Sequence, residues 1–331
     1  MKRIAIVGAG GMARTRARAL LASGEVEICA VASRHLSTAQ AFASEIGCTA
    51  CFDDYRQLMT AHPDALLVEV PHTVQDEITG WALEQDLHLL IGGVLAANTE
   101  TAQRILDLAR SRRRVVEAGF EARYDAVWIA AKALLDSGEL GDLVAIRSLA
   151  LWGGDPNSWY YRQEDSGGMP LTHMTYCFIN PIRWLAGNPH AVSAFSNRKL
   201  HTAPGLLNEE TCVANLLFKG NVLGSLTAGF VKPGNLPAWT AMFIGTRAAV
   251  ELFPLENGVG HLLFYRGDQC ECRKFESADN PFKVQAAAFL ASLDGSNQCR
   301  NTPADTLDDI RIAEAIVASG RQGCTISLVS A

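Results

Sequence analysis

No stretch of this sequence approaches the roughly 20 consecutive apolar residues that a membrane-spanning helix needs. It also has no internal repeat and no low-complexity linker. Lysine is scarce: of 29 basic residues, 22 are arginine and 7 lysine, and none of the lysines lies between positions 3 and 131. Charged residues make up only 19%, with a net charge of −6. That excludes the basic surface of a general nucleic-acid or anionic-membrane binder. Nine scattered cysteines make no disulfide framework and fit reduced thiols in a cytosol. Cys48-Thr-Ala-Cys51 has redox-motif spacing and Cys270-Glu-Cys272 is another close pair. Neither has a second pair at zinc-site spacing, so no metal is expected, and plain strand or loop thiols are the simpler reading.

The composition is instead that of a globular chain. Hydrophobic residues are 48% of 331, enough for sizeable cores, and the length favours two domains. The start, MKRIAIVGAGGMARTRARAL, imitates a secretion signal. Its apolar stretch covers only residues 4–7, and arginines follow at 14, 16 and 18, so it reads as the buried first strand of a cytoplasmic protein.

After that strand comes Gly8-Ala-Gly10-Gly11-Met12-Ala13 and then a helical pattern. The motif is G-x-G-x-x-A in its required strand–turn–helix context. The first glycine makes the turn, the second admits a pyrophosphate, and the small third residue lets helix and strand pack. The helix start offers free N–H groups to phosphates. A carboxylate at the end of the second strand would select NAD(H) through the ribose hydroxyls. Here Ser33-Arg34-His35 stands there, a hydroxyl, a guanidinium and an imidazole suited to a 2′-phosphate. NADP(H) is therefore preferred over NAD(H). The alternative for Arg34 is a place over the adenine or in solvent. Apolar strands and helical patterns alternate as far as residue 118, which implies a parallel, doubly wound sheet. The second half reads as strands at 143–151, 191–197, 211–218, 222–230, 238–244, 248–252 and 261–265, with Gly220-Asn221 as a hairpin turn. Helices are expected at 282–293 and 305–319. The arginine run 110, 112, 113, 114 is read as favourable charge at a helix end.

The order of these segments resembles the glucose–fructose oxidoreductase, inositol dehydrogenase and rhizopine-catabolism (Gfo/Idh/MocA) family of NAD(P)-dependent oxidoreductases. The likeness runs through the glycine turn, Phe52-Asp-Asp-Tyr-Arg-Gln-Leu58, Val70-Pro71-His72 and Gly119-Phe-Glu-Ala-Arg-Tyr-Asp125. It continues through Leu135-Asp-Ser-Gly-Glu-Leu-Gly-Asp-Leu143, Trp159-Tyr-Tyr-Arg162, Ser166-Gly-Gly168 and Arg183-Trp-Leu-Ala-Gly187. The resemblance implies an α/β fold: an N-terminal Rossmann doubly wound parallel sheet over 1–121, then an α+β substrate-binding and dimerisation domain over 122–331. The latter has an open, mostly antiparallel sheet, one face of which pairs with a second subunit in a homodimer or tetramer. It implies a small-molecule substrate, neither nucleic acid nor membrane as partner, and cofactor contacts from Gly8, Gly10, Gly11, Met12, Ala13, Ser33, Arg34, His35, Val70, Pro71, His72, Gly92 and Gly93.

The family pattern is also broken. Gly92, Gly93 and Val94 stand where most members carry Glu-Lys-Pro, whose lysine works on the reacting oxygen. His173, Cys177 and Asn180 stand at the positions of the family's Asp, His and Asp. Residues four apart share one helix face, so His173 and Cys177 are the catalytic candidates. His173 is expected as a near-neutral acid or base and Cys177 as a thiol. The bland alternative is that both fill space. Pro181 is expected to kink the helix. Arg123, Tyr124, Tyr160, Tyr161, Arg162 and His173 are placed to line the substrate cleft, with pairing at the domain interface as the alternative for the first five, Arg123 above all. Trp152 and Trp159 flank a Gly-rich loop, either as an aromatic wall or as core. Two functions follow. One is an NADP(H)-dependent oxidoreductase acting on a sugar-like molecule, imine or enone without the usual lysine. The other is a non-catalytic NAD(P)-binding regulatory or assembly protein.

Overall fold

The computed structural model describes residues 1–232, 234, 239–256, 258–276 and 280–328. The chain divides into two compact units, residues 1–121 with 282–307 and residues 122–281 with 308–331.

The first unit alternates strand and helix: β1 (Lys2–Val7), α1 (Gly11–Leu21), β2 (Val26–Ala32), α2 (Leu36–Glu45), β3 (Cys51–Phe52), β4 (Ala65–Val68), α3 (His72–Glu84), β5 (His88–Ile91), α4 (Thr99–Arg112) and β6 (Val116–Ala118). The six strands run parallel in the order β3-β2-β1-β4-β5-β6. This is the doubly wound dinucleotide fold. Its strand order reverses between β1 and β4 and opens a crevice beyond their carboxyl ends. Every residue of β4 is buried, as a central parallel strand requires. Small side chains on α1, Ala13 and Ala17, sit in one core with Ile4, Ile6 and Phe42.

That core also contains Ala286, Phe289 and Leu290, from the helix Pro281–Leu293. The expectation that all of 122–331 forms the second domain is corrected here. Residues 282–307 belong to the first unit because this helix completes its core. The Asn301 side chain, which donates to the Phe120 carbonyl at 2.8 Å, ties the returning segment down. Helical periodicity alone does not say which core a helix joins.

The second unit opens with α5 (Ala126–Asp136), whose N-cap Asp125 accepts from the N–H groups of Val127 (2.7 Å) and Leu255 (2.9 Å). Its elements continue as β7 (Leu143–Leu151), α6 (Gln163–Ser166), a π-helix (Pro170–Ile179), α7 (Asn180–Ala186), β8 (Pro189–Asn197), β9 (Thr211–Phe218), β10 (Leu223–Gly229), β11 (Trp239–Gly245), β12 (Ala249–Glu256), β13 (Val259–Arg266) and β14 (Gln269–Glu276). After α8 (the Pro281–Leu293 helix) come α9 (Pro303–Gln322) and β15 (Ile326–Ser327). The nine strands lie in the order β14-β13-β12-β11-β7-β10-β9-β8-β15. All neighbours are antiparallel except β7 and β10. The β9–β10 turn has positive φ at both Gly220 (76°) and Asn221 (61°), as a tight hairpin of this twist demands. Ala238, expected to start a strand, lies outside the described residues. Strands β14 and β15 were not anticipated.

Candidate functional site

In the first unit, the carboxyl ends of β1, β2, β4 and β5 carry the expected cofactor residues. Gly8 follows β1 at φ +106°, and a Cβ there would run into the Glu69 carbonyl, so only glycine fits. Gly10 is the N-cap of α1, with no side-chain cap. Gly11, Met12 and Ala13 form a first turn free of acidic residues. Nothing lies within 4 Å of a Cβ built on Gly10 or Gly11. A pyrophosphate thus finds both room and free N–H groups, and the residues fit a dinucleotide. Ser33 donates its N–H to the Phe52 carbonyl at 3.1 Å. Arg34 is exposed and has no hydrogen bond or ion pair among the described residues. His35 is exposed at the start of α2. Val70 and Pro71 are half-buried and His72 is the buried first residue of α3. Gly92 donates to the Val68 carbonyl at 2.7 Å, and Gly93, at φ +72°, faces open space.

Two charged residues that sequence reasoning passed over lie at the same strand ends. Arg16 Nε is 2.6 Å from Glu69 Oε1. The guanidinium also donates to Gln285 Oε1 (2.5 Å) and to the Gly119 carbonyl, with Glu121 at 3.7 Å. Burial pushes the Glu69 carboxyl above the usual range and the Arg16 charge pulls it back. A Cβ on Gly92 would land inside the Glu69 carboxylate. Glu69 therefore occupies the volume that any side chain at position 92 would need. A signal was available. Arg16 lies three residues after Ala13 and four before Leu20, both on the buried face of α1, and Glu69 ends an apolar strand. Opposite charges at two core positions call for each other.

In the second unit, the π-helix brings His173 and Cys177 together. Its wider turn nearly aligns residues i and i+4, and Cys177 Sγ sits 3.6 Å from His173 Nδ1. Thr175 Oγ1 donates back five residues to the Pro170 carbonyl at 2.9 Å, and Pro181 falls at the junction with α7, where a missing N–H is tolerated. His173 is stacked on Trp152 (centroids 6.1 Å apart) and packs against Phe230 (5.0 Å) and Trp239 (5.5 Å). The ring donates to the Ala150 carbonyl, but burial lowers its pKa to about 4. The near-neutral imidazole expected from sequence is corrected on this point: buried among aromatic rings, with one carbonyl and the Cys177 thiol as its polar neighbours, His173 is uncharged at neutral pH. Phe230 and Trp239, both far from His173 in sequence, left no motif to find.

Of the other substrate-side candidates, Tyr160 and Tyr161 join this cluster through Trp152 and Phe230. Tyr160 meets Trp152 edge-on at 5.6 Å and Trp159 at 5.3 Å. The Tyr161 hydroxyl accepts from the Gly154 N–H at 2.8 Å, anchoring the loop between the tryptophans. Arg123 and Tyr124 are both buried, and Arg123 donates to the Asn180 carbonyl at 3.0 Å. Asn180 Nδ2 in turn donates to Asp309 at 2.8 Å, so Arg123 supports the start of α7. Arg162 is paired with Asp165. All nine cysteines are free. Cys48 and Cys51 each donate to a nearby carbonyl, and burial raises the Cys48 thiol, which suits plain packing.

Comparison with known proteins matches both units. Residues 2–120 match an oxidoreductase family with an NAD-binding Rossmann fold, and residues 128–251 match the GFO/IDH/MocA C-terminal domain. Among relatives, D-glucoside 3-dehydrogenase of Escherichia coli is 28% identical over 60% of this chain and 59% of its own length. The chain thus spans about three fifths of that relative. A dTDP-3,4-didehydro-2,6-dideoxy-alpha-D-glucose 3-reductase of Streptomyces antibioticus is 30% identical over 69% of this chain and 67% of its own. Among solved structures, the aldose-aldose oxidoreductase of Caulobacter crescentus has a TM-score of 0.88 at 20% identity, covering 99% of both chains. A levoglucosan dehydrogenase in complex with NADH also scores 0.88, at 19% identity and full coverage of both chains; at these identities the likeness is one of fold. The glycine turn, the strand order and the matches over both units agree: the chain belongs to the Gfo/Idh/MocA oxidoreductase family.

Proposed function

We propose that this chain is an NADP(H)-preferring oxidoreductase acting on a small, ring-shaped, sugar-like molecule, imine or enone, without a catalytic lysine. The observation that carries this reading is the phosphate-ready edge of the first unit: an uncapped α1 start over Gly10 and Gly11, with the unpartnered Arg34 after β2. Gly8, Gly10, Gly11, Met12 and Ala13 hold the pyrophosphate. Ser33, Arg34 and His35 take the 2′-phosphate, and Val70, Pro71, His72, Gly92 and Gly93 border the nicotinamide end. The nicotinamide supplies or accepts the hydride. This chain's residues bind and orient. The relatives whose names specify sugar substrates support a sugar-like ligand, and the aromatic group of Trp152, Tyr160 and Trp239 offers ring faces to it. In this reading Arg162 completes the polar rim of the substrate side, and Arg123 and Tyr124 hold its frame. His173 serves as a neutral hydrogen-bonding and stacking group beside Cys177. A substrate that needs little oxygen polarisation, such as an imine or enone, suits a site where Gly93 replaces lysine.

Calorimetric titration tests cofactor choice. NADP(H) is expected to bind more tightly than NAD(H), and Arg34→Ala is expected to weaken only the phosphorylated form. Equal affinities would overturn the preference. Screening sugars, cyclic imines and enones by reduced-cofactor absorbance tests the activity. Gly93→Lys has room for its side chain but carries about 1–2 kcal/mol of left-handed backbone strain. It is expected to raise turnover of sugar alcohols if lysine is what the site lacks.

A second reading, a non-catalytic NAD(P)-binding regulatory or assembly protein, is favoured by the sealing of His173 and Cys177, which are 3% and 5% exposed. Cofactor binding with no turnover of any screened substrate would decide for it. A homodimer or tetramer through the second unit's sheet belongs to the same proposal, as does a cytoplasmic setting, which nine free thiols support. No helix among the described residues is long and apolar enough to cross a membrane.

A further inference from the structure

The first unit has a second concave site, on the opposite edge of its sheet from the glycine turn. Gly8, Glu69 and Gly92 follow the carboxyl ends of parallel strands. This cavity, of about 350 Å³, lies at the amino end of β6 instead, beside Val116. Its volume falls at the small end of the range for small-molecule sites. Three arginines line it, Arg110, Arg113 and Arg114, and none of its fourteen lining residues is acidic.

The three arginines differ in what they do. Arg114 is spent on structure, donating to the carbonyls of Arg112 (2.9 Å) and Asp86 (3.2 Å). Arg110 and Arg113 are exposed, and their side chains make no hydrogen bond or ion pair among the described residues. Position 113 ends α4 in the left-handed conformation, φ +53°, which turns the chain back beside residue 110. Charge near a helix C-terminus favours the macrodipole. That accounts for cations at this helix end but not for an acid-free hollow between them. Across the hollow, Pro303 and Ala304 begin the 20-residue α9, whose start adds positive potential. The rest of the lining is mostly apolar or uncharged.

We propose that this cavity binds a small organic phosphate, with the phosphate held by Arg110 and Arg113 and an apolar body resting on the wall at Val116. Guanidinium forks match phosphate oxygens in pairs, and the cavity's size admits a ligand little larger than one ring. The site is separate from the dinucleotide edge and independent of whether the chain turns over a substrate.

The test is calorimetric titration of the full chain with phenyl phosphate, inorganic phosphate and phenol. Phenyl phosphate is expected to bind with a dissociation constant of about 1 mM or below, more tightly than either fragment alone. The Arg110→Ser/Arg113→Ser double variant, altered only at exposed positions, is expected to weaken it at least about tenfold, as the loss of a charge-assisted contact requires. Arg34→Ala is expected to leave it unchanged. Three results would overturn the proposal: no heat from phenyl phosphate at 10 mM (about 2.7 kcal/mol of affinity), unchanged affinity in the double variant, or loss of binding in Arg34→Ala, which would put the phosphate at the dinucleotide edge.

Discussion

Side chains decide the chemistry left at the strand ends. Glu69 and Arg16 form a buried pair whose carboxylate fills the space of a side chain at position 92, and breaking such a pair leaves an uncompensated buried charge. Glu69→Ala is therefore expected to lose roughly 3 kcal/mol in urea denaturation. Gly92→Glu alone is expected to destabilise by overpacking, whereas the double change Glu69→Ala/Gly92→Glu restores a carboxylate to the same volume and recovers part of the loss. Additive losses in the double variant would show that the two positions do not share that space. His173 gives a second prediction. Its folded pKa, about 4, lies below the ordinary histidine value near 6.5. Between these values the unfolded chain binds a proton that the folded chain does not, so stability rises with pH across that window. About 3 kcal/mol is present at pH 7 and lost on acidification to pH 4. His173→Leu is expected to flatten this part of the stability profile, and an unchanged slope would assign it to other groups. The glycine turn was readable from sequence because each glycine answers to one geometric demand. The charge state of His173 was not, since it depends on Phe230 and Trp239, which approach only in the fold.

Among the elements, those with a clear period were legible and those whose pattern is set by neighbours were not. The alternation of β9 and β10 and their Gly-Asn turn fixed a hairpin in advance. Strand β14 escaped notice because Gln269-Cys-Glu-Cys-Arg-Lys-Phe-Glu276 is polar and nearly all exposed, as suits a protected sheet edge. The Pro170–Ile179 segment reads as an ordinary helix, and nothing in its spacing reveals π-helical bonding. The connection between β8 and β9 also looks structureless in sequence, yet one carboxylate organises it. Glu210 accepts from the N–H groups of Lys199 (2.7 Å), Leu200 (2.9 Å) and His201 (2.7 Å) and contacts His201 Nδ1 at 2.6 Å. Burial alone would raise this carboxyl, but the backbone donors and His201 outweigh it and hold it below the usual range. Such a group stabilises fully above the ordinary carboxylate pKa and ceases to as pH falls through its lowered value. In Glu210→Gln, amide exchange at 199–201 is expected to quicken about 10- to 100-fold at neutral pH, the loss of charge-assisted bonds worth about 1.5–3 kcal/mol. Protection identical to the wild type would mean that the loop is held by something else.

At the scale of the whole molecule, the proposed oligomer rests on apolar side chains that one face of the nine-stranded sheet leaves exposed. Along β9 and from Leu223 to Ala228 of β10 the even-numbered residues are buried and the odd-numbered ones are exposed or half-buried. The register puts Phe195 opposite Val213 and Leu223 beside Leu217 and Ala145. Phe195 is 71% and Leu223 61% exposed, so large apolar side chains stand on one continuous surface. The sequence showed the strands but not which face stays uncovered, because that depends on where each helix goes. Residues 282–307 make the point, being expected on the second unit and found in the core of the first. A stable interface buries roughly 800 Å² on each partner, an area that a sheet face of several strands supplies. Light scattering of the wild-type chain at micromolar concentration is expected to give a dimer or tetramer. Phe195→Glu/Leu223→Glu places two charges on that face without touching either core, and is expected to give a monomer with unchanged far-ultraviolet dichroism and unchanged cofactor affinity. A wild-type monomer would remove the oligomer from the proposal. A double variant that stays oligomeric would move the interface to another surface.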